Sequence, residues 1–341
     1  MKKIFRAVAA VLLCAVCLSI CSCSSGTKKK YTTTYFDYFD TFATITVYAN
    51  SQKDFEVWDN IFKSELEKYH QLLDIYNEYE GVVNLCTLNK DAGQGAVRVG
   101  DELFDFLIFT KEAYTLTGGY TSVALGSVTS LWKQAIADKT PPTPEALEEA
   151  AKHTDISSVL LDDIVRSVYI TDKDMRLDAG ALGKGYVAEV ICERLVNAGC
   201  ENFLLDLGGN LSAFGEKPDG TVWYGGIQDP DGDGELSLSL NISGLTLSTS
   251  GSYNRNFSFH GLIYHHIINP QTLYPENTYS SVSVLCPSGA NADALSTALF
   301  SMSFEDGMAL ANTLERTEVI WIFADGSIKS TDGIELDQNK N

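Results

Sequence analysis

The chain has 341 residues, 45% hydrophobic and 21% charged, which is a globular composition with ample material for a core. Its formal net charge of −20 argues against nucleic acid or an anionic membrane surface as a partner, because either would need a basic patch. A local basic site on the acidic protein stays compatible with that balance.

Lys2, Lys3 and Arg6 precede an apolar run from Ala7 to Ile20. The run is too short for a transmembrane helix and has the form of a signal-peptide h-region. It ends in Ile20-Cys21-Ser22-Cys23, which is similar to a bacterial lipobox. Residues 1–22 are therefore expected to be a lipoprotein signal peptide. Cys23 would be the lipidated residue, carrying a palmitate-type acyl anchor, with Cys21 as a second candidate. An ordinary cleaved signal is the alternative. Residues 23–34 read as a flexible tether and 35–335 as the folded domain. Such an anchor would hold the domain on the extracytoplasmic face of the cell membrane. Cys86, Cys192, Cys200 and Cys286 follow the leader without a C-x-x-C pair or metal-ligand spacing. Buried thiols are the expectation there, and no disulfide can be assigned from spacing.

Thr41 to Tyr48 alternates β-formers and predicts a strand. Phe55, Trp58, Ile61, Phe62, Leu66 and Tyr69 mark an amphipathic helix. Leu73 to Leu88 is irregular, aromatic and polar. Asp101 to Leu116 reads as a second helix, broken by Gly118-Gly119, and Val123 to Trp132 as a buried segment. A proline-rich loop leads to a short acidic helix starting at Pro144. Val159 to Leu161 and Val168 to Ile170 predict two short strands. Phe203 to Leu207 predicts another, running into Gly208-Gly209, and Trp223 to Ile227 one more. Asp229 to Glu235 has the look of a calcium loop. The twelfth position, where an EF-hand needs Glu, holds Leu240, so a polar hairpin turn is favoured. Leu236 to Leu240, Leu245 to Ser248, Ser281 to Leu285 and Val319 to Phe323 complete the strands, with a helix from Asn291 to Phe300. Strands and helices mix without regular βαβ spacing, which favours an α+β fold with mainly antiparallel sheets over a doubly wound one.

Three stretches carry chemistry. Leu177 to Tyr186 holds Asp178, three glycines and Lys184, and Val187, Val190, Ile191 and Leu195 continue as a helix. A glycine-rich loop opening into a helix suits an anion, since free N–H groups and the helix dipole favour negative charge there. It is neither a Walker loop nor a G-x-G-x-x-G fingerprint. A plain glycine-rich turn with a surface lysine is the competing interpretation. His265-His266 offers a general base, although two ordinary histidines would look the same. Asp293 and Thr297 stand at i and i+4, so both oxygen donors share one helical face and suit a hard cation such as Mg²⁺. A dipole-stabilised aspartate and a threonine bonded back to its own helix is the alternative.

In chain order these stretches resemble the ApbE family, the FAD:protein FMN transferases. The resemblance is carried by Leu177 to Glu189, Leu205 to Asn210, Thr249 to Tyr253, His266 to Pro270 with Tyr274-Pro275, and Ala292 to Phe300. It implies a single large catalytic domain and transfer of FMN from FAD to a threonine hydroxyl of another protein, with release of AMP. It implies that Asp178 and Lys184 contact FAD. Mg²⁺ would be held by the Ala181 carbonyl, Asp293 and Thr297. Tyr76, Tyr120, Thr121 and Ser122 would line the flavin or adenine pocket. His266, with Ile267 beside it, would lie by the pyrophosphate, His266 being the catalytic base. Asn269, Ser122 and Phe39-Asp40 depart from the family's usual residues. No acceptor motif of the Asp-x-x-Ser/Thr-Gly-Ala-Thr type occurs in the chain, so the partners implied are other extracytoplasmic flavin acceptors, such as electron-transfer subunits. Mg²⁺-dependent hydrolysis of FAD, or FAD binding without turnover, are the alternatives.

Overall fold

The computed structural model describes residues 28–230, 236–253 and 255–334. The expected signal peptide, Cys23, residues 231–235 of the acidic turn and residue 335 lie outside the described residues.

An eight-stranded sheet forms the frame, and each neighbouring pair in it is antiparallel. In sheet order it contains β1 (Lys29–Tyr38), β2 (Thr41–Ala49), β6 (Phe203–Leu207), β7 (Asn210–Phe214), β10 (Thr246–Gly251), β13 (Tyr279–Cys286), β14 (Glu318–Phe323) and β15 (Ile328–Ser330). The period of two in side-chain direction decides what each face packs against. Val282 and Val284 of β13 and Val319 and Trp321 of β14 join Ala292, Leu295 and Leu299 of helix α7 (Gly289–Ser301). Leu285, Ile320 and Ile322, the alternate positions, join Trp223, Ile227 and Ile242 at the hairpin of β8 (Tyr224–Gln228) and β9 (Leu236–Asn241).

Towards the other end of the sheet, Ala43, Ile45 and Val47 of β2 and Phe203, Leu205 and Leu207 of β6 form the largest core. Helix α1 (Gln52–Leu73) contributes Phe62 and Leu66, and α6 (Gly183–Asn197) contributes Val187, Ala188, Ile191 and Leu195. Each fully buried Leu, Ile or Phe is worth about 1.5–3 kcal/mol. Ser51 caps α1 by accepting from the Asp54 N–H. Thr143 caps α5 (Pro144–Ala151), which has Pro at its first position as the sequence predicts. Between them in the chain lie α2 (Leu85–Lys90), β3 (Val97–Arg98), α3 (Asp101–Leu116) and α4 (Gly126–Asp138), and after α5 come β4 (Val159–Asp162) and β5 (Ser167–Ile170), which form a small sheet with β3 in the order β3-β5-β4. A hairpin of β11 (Asn256–Phe259) and β12 (Leu262–His265) packs against α4, and α8 (Phe304–Ala311) follows α7.

The α+β, mainly antiparallel expectation matches the structure. The tether boundary needs correction. Residues 29–34 belong to β1, an edge strand in register with β2. Thr and Tyr are β-formers, and here they find partners. Thr32 and Thr34 hydrogen-bond Thr46 and Thr44 across the pair, and Tyr31 stacks on Phe55. The Leu73–Leu88 stretch contains the start of α2, capped by Asn84, and Val123–Trp132 is a 3₁₀ turn leading into α4. Among the described residues, no helix is long and apolar enough to cross a membrane.

Candidate active site

The loop from Leu177 to Leu182 is held from both sides. The Asn89 side chain accepts from the Leu177 N–H at 2.6 Å and donates to the Leu177 carbonyl at 3.0 Å. The Asp178 N–H donates to the Val123 carbonyl at 2.8 Å. A loop anchored by its own backbone in this way presents a fixed set of groups at the start of α6. No side chain caps that helix start, which leaves it suited to an anion.

Asp178 lies inside this loop with its carboxylate fully engaged. Oδ2 accepts from Thr129 Oγ1 at 2.7 Å and forms an ion pair with Lys133 Nζ at 2.9 Å, and Oδ1 accepts from the Gly180 N–H at 3.0 Å. Burial works against its charge, but Lys133, the Thr129 hydroxyl and the Gly180 N–H prevail and hold its pKa below the ordinary value. The side chain is 11% exposed, so little of it is left to meet a ligand.

Asp293 reaches the same place from α7. Ser288 caps α7, and Glu189 of α6 accepts from the Ser288 hydroxyl at 2.6 Å and the Ala290 N–H at 3.0 Å. These bonds fix where α7 begins relative to α6. The two helices then approach so closely that a Cβ on Gly185 would fall 2.3 Å from both the Asp293 Cβ and the Gly289 carbonyl oxygen. Glycine is required for that approach. It lets the Gly185 N–H donate to Asp293 Oδ2 at 2.7 Å. The other oxygen, Oδ1, lies 3.5 Å from Ser248 Oγ and 3.9 Å from Lys184 Nζ, so Lys184 is only loosely held by the carboxylate. Ser296, Ser250 and Thr297 continue the row of oxygens. Ser250 Oγ lies 2.9 Å from Ser296 Oγ and 3.4 Å from Thr297 Oγ1. A buried carboxylate among hydroxyls, without thiol or imidazole, is a donor set that fits a hard cation. Ala181 sits half-buried in the adjoining loop.

The remaining expected residues are distributed as follows. The turn after α3 is tied to both parts of the site, through the Asp178–Val123 bond and through Thr121. Thr121 is buried, and its hydroxyl donates to the Ala294 carbonyl at 2.8 Å. Its side chain therefore fastens the turn to α7. Ser122 accepts from the Ala124 N–H, and Tyr120 packs partly into the core beneath α7. Tyr76 is 67% exposed, with its ring 5.4 Å from Lys133 Nζ.

The two histidines have different surroundings. His265 is fully buried, bonded through Nε2 to the Glu276 carbonyl, and it accepts the Ile267 N–H at Nδ1. That pattern requires the neutral Nε2–H tautomer, and burial pushes its pKa down. His266 is exposed at the end of β12. Ile267 is buried and spends its N–H on His265. Asn269 is buried in a turn, bonded to Glu276 and the Ser301 carbonyl.

Sequence reasoning assigned no role to Thr129, Lys133, Glu189, Ser248 or Ser250. Thr129 and Lys133 share a helix face at i and i+4, and Ser248 and Ser250 share a strand face, so a signal was available. Among the described residues, the group that could offer three metal-ligand atoms within 4.8 Å is His153, Asp172 and Asp174, separate from the Asp293 set.

A profile of the ApbE family matches residues 39–321. The FAD:protein FMN transferase of Treponema pallidum is 34% identical over 266 residues, covering 73% of each chain. That of Klebsiella pneumoniae is 29% identical over 259 residues, covering 75% of this chain and 79% of its own. The crystal structure of the ApbE protein of Thermotoga maritima superimposes with a TM-score of 0.79 at 25% identity, over 89% of this chain and 98% of that one. The chain belongs to the ApbE family.

Proposed function

From that membership we propose that the chain is an FAD:protein FMN transferase, which moves FMN from FAD to a threonine hydroxyl of a separate protein and releases AMP. The observation that carries this reading is the meeting of Lys184, Gly185 and Asp293 at the start of α6. It combines an anion-binding helix terminus, a cation and a buried carboxylate in one place.

The pyrophosphate of FAD lies over the Asp178–Gly185 loop, and Lys184 offsets the negative charge that grows on it in the transition state. The acceptor hydroxyl forms a bond to the FMN-side phosphorus as the bond from that phosphorus to the AMP oxygen breaks. His266, an exposed residue, takes the hydroxyl proton and passes it to solvent. Asp293 and Thr297, with the Ala181 carbonyl, would hold Mg²⁺. When bound, the ion supplies Lewis-acid polarisation of the phosphoryl oxygens. Asp293 is kept in place for that task by the Gly185 N–H. The leader supports a lipid anchor at Cys23 and a position on the extracytoplasmic face, where acceptors such as electron-transfer subunits would be met.

The test is to incubate the purified protein with FAD and Mg²⁺, with and without an acceptor protein, following AMP and the acceptor's mass. AMP formed only with acceptor, together with a gain of one FMN, supports transfer. AMP formed without acceptor means hydrolysis, and no AMP in either case means binding alone. Asp293→Ala should abolish turnover, and full activity in that variant overturns the metal assignment. Cys23→Ala should release the protein from membranes, and continued lipid labelling would move the anchor to Cys21.

A further inference from the structure

We infer that Lys133 of α4, and not Asp178, is the group that meets the anionic pyrophosphate of the flavin donor on the α4 side of the loop, with Asp178 acting as its positioning residue. The inference rests on the transferase reading above. The Asp178 carboxylate already accepts hydrogen bonds from Thr129 and Gly180 and pairs with the Lys133 ammonium. It is 11% exposed, whereas the Lys133 side chain bonded to it is 43% exposed. The pair is therefore an oriented dipole, with its negative end buried in the loop and its positive end outward.

An ammonium has three donors. The Lys133 ammonium pairs with Asp178 Oδ2 at 2.9 Å and lies over the Tyr76 ring. Donor capacity is left for an acceptor outside the pair. The exposed Tyr76 ring, 5.4 Å from Nζ, limits where that acceptor can lie. Thr129 stands one helical turn before Lys133 and bonds the same carboxylate oxygen, so the ammonium is held from a rigid helix and not from a mobile loop.

The chemistry of the ligand follows from charge. A protein with net charge −20 repels a pyrophosphate except where cations are concentrated. Lys184 provides one at the end of the Asp178–Lys184 segment, and Lys133 provides a second at its start. Two ammonium groups, one paired with Asp178 and the other with Asp293, suit an extended dianion better than either does alone.

The experiment measures FAD affinity by quenching of flavin fluorescence, together with KM and kcat for transfer, at low and high salt. Lys133→Met should weaken FAD binding and raise KM about tenfold, the size expected for one charge-assisted hydrogen bond, with kcat within about threefold of wild type. Its KM should also depend less on salt than that of wild type. Lys133→Arg should restore most of the affinity. Lys133→Met combined with Asp178→Asn removes both charges, so no buried carboxylate is left unpaired. That double variant should melt close to wild type and still bind FAD weakly. Wild-type FAD affinity in Lys133→Met, or a deficit in the double variant that tracks only its melting temperature, overturns the inference. Absence of AMP and FMN transfer by the wild-type protein overturns the transferase reading instead, and weaker FAD binding by Lys133→Met than by wild type would still be seen in that case, which separates the two failures.

Discussion

Replacing Gly185 by alanine tests the contact on which the site depends. The added Cβ would fall 2.3 Å from the Gly289 carbonyl oxygen and from the Asp293 Cβ, and ordinary van der Waals contact begins near 3.4 Å. The two helices must therefore part by about 1 Å, and neither obstacle is the free end of a flexible side chain. Overpacking of this kind costs about 1–3 kcal/mol, with the upper end expected where backbone blocks the way. At about 2–4 °C per kcal/mol, the melting temperature should fall by roughly 6–12 °C. The Gly185 N–H bond to Asp293 would stretch with the same movement. A shift of about 1 Å at a catalytic group can cost on the order of 100-fold in rate. The assay is calorimetric melting paired with FMN transfer measured well below the melting temperature. Gly180→Ala in the same loop is the control, because its Cβ would meet only Asp178 Oδ1 at 3.2 Å and a small adjustment relieves it. Melting within 2 °C of wild type together with normal transfer in Gly185→Ala, as an approximate threshold on that scale, would refute the close-approach argument.

Three further outcomes are expected. His266→Ala should lower transfer by about 10²–10⁴-fold with melting unchanged, while His265→Ala should chiefly lower stability, because its ring satisfies a buried N–H and carbonyl; equal loss of stability in both would contradict this division. The lowered pKa of Asp178 gives stability that is present above the ordinary value of 3.8 and lost as pH falls through the folded-state value. Urea unfolding of wild type and Asp178→Asn should thus differ at neutral pH and converge on acidification, and a gap that is constant with pH would refute the ion pair's role. Burial pushes the thiols of Cys192, Cys200 and Cys286 up to about 12, so iodoacetamide at pH 8 should label them only after denaturation, as read by mass spectrometry. Labelling of native Cys200 would show that the core opens.

Most of the framework was legible in the chain, because it depends on local chemistry. The period of Phe55, Phe62, Leu66 and Tyr69 marks α1, and Thr143-Pro144 marks the start of α5. The Gly208-Gly209 pair, with φ of 57° and 89°, marks the tight turn between β6 and β7. Strand β1 was hidden because Lys, Thr and Tyr after a leader look like tether, and only pairing with β2 makes them a strand. The β11–β12 hairpin was hidden because it draws its apolar contacts from α4.

The amino-acid order alone determined that an acidic residue, a lysine and glycines share one loop, and that Asp293 and Thr297 share one helix face. Those facts follow from periodicity and from residue chemistry, which act over a few residues. Tertiary structure decided which of these groups meet. It turned Asp178 inward onto Lys133 and Thr129, placed His265 in the core and His266 outside, and brought Gly185 against Asp293 across a separation of 108 residues. Such contacts arise from how α6 and α7 pack on one sheet, and that packing is a property of distant surfaces fitting together, which no window of sequence contains.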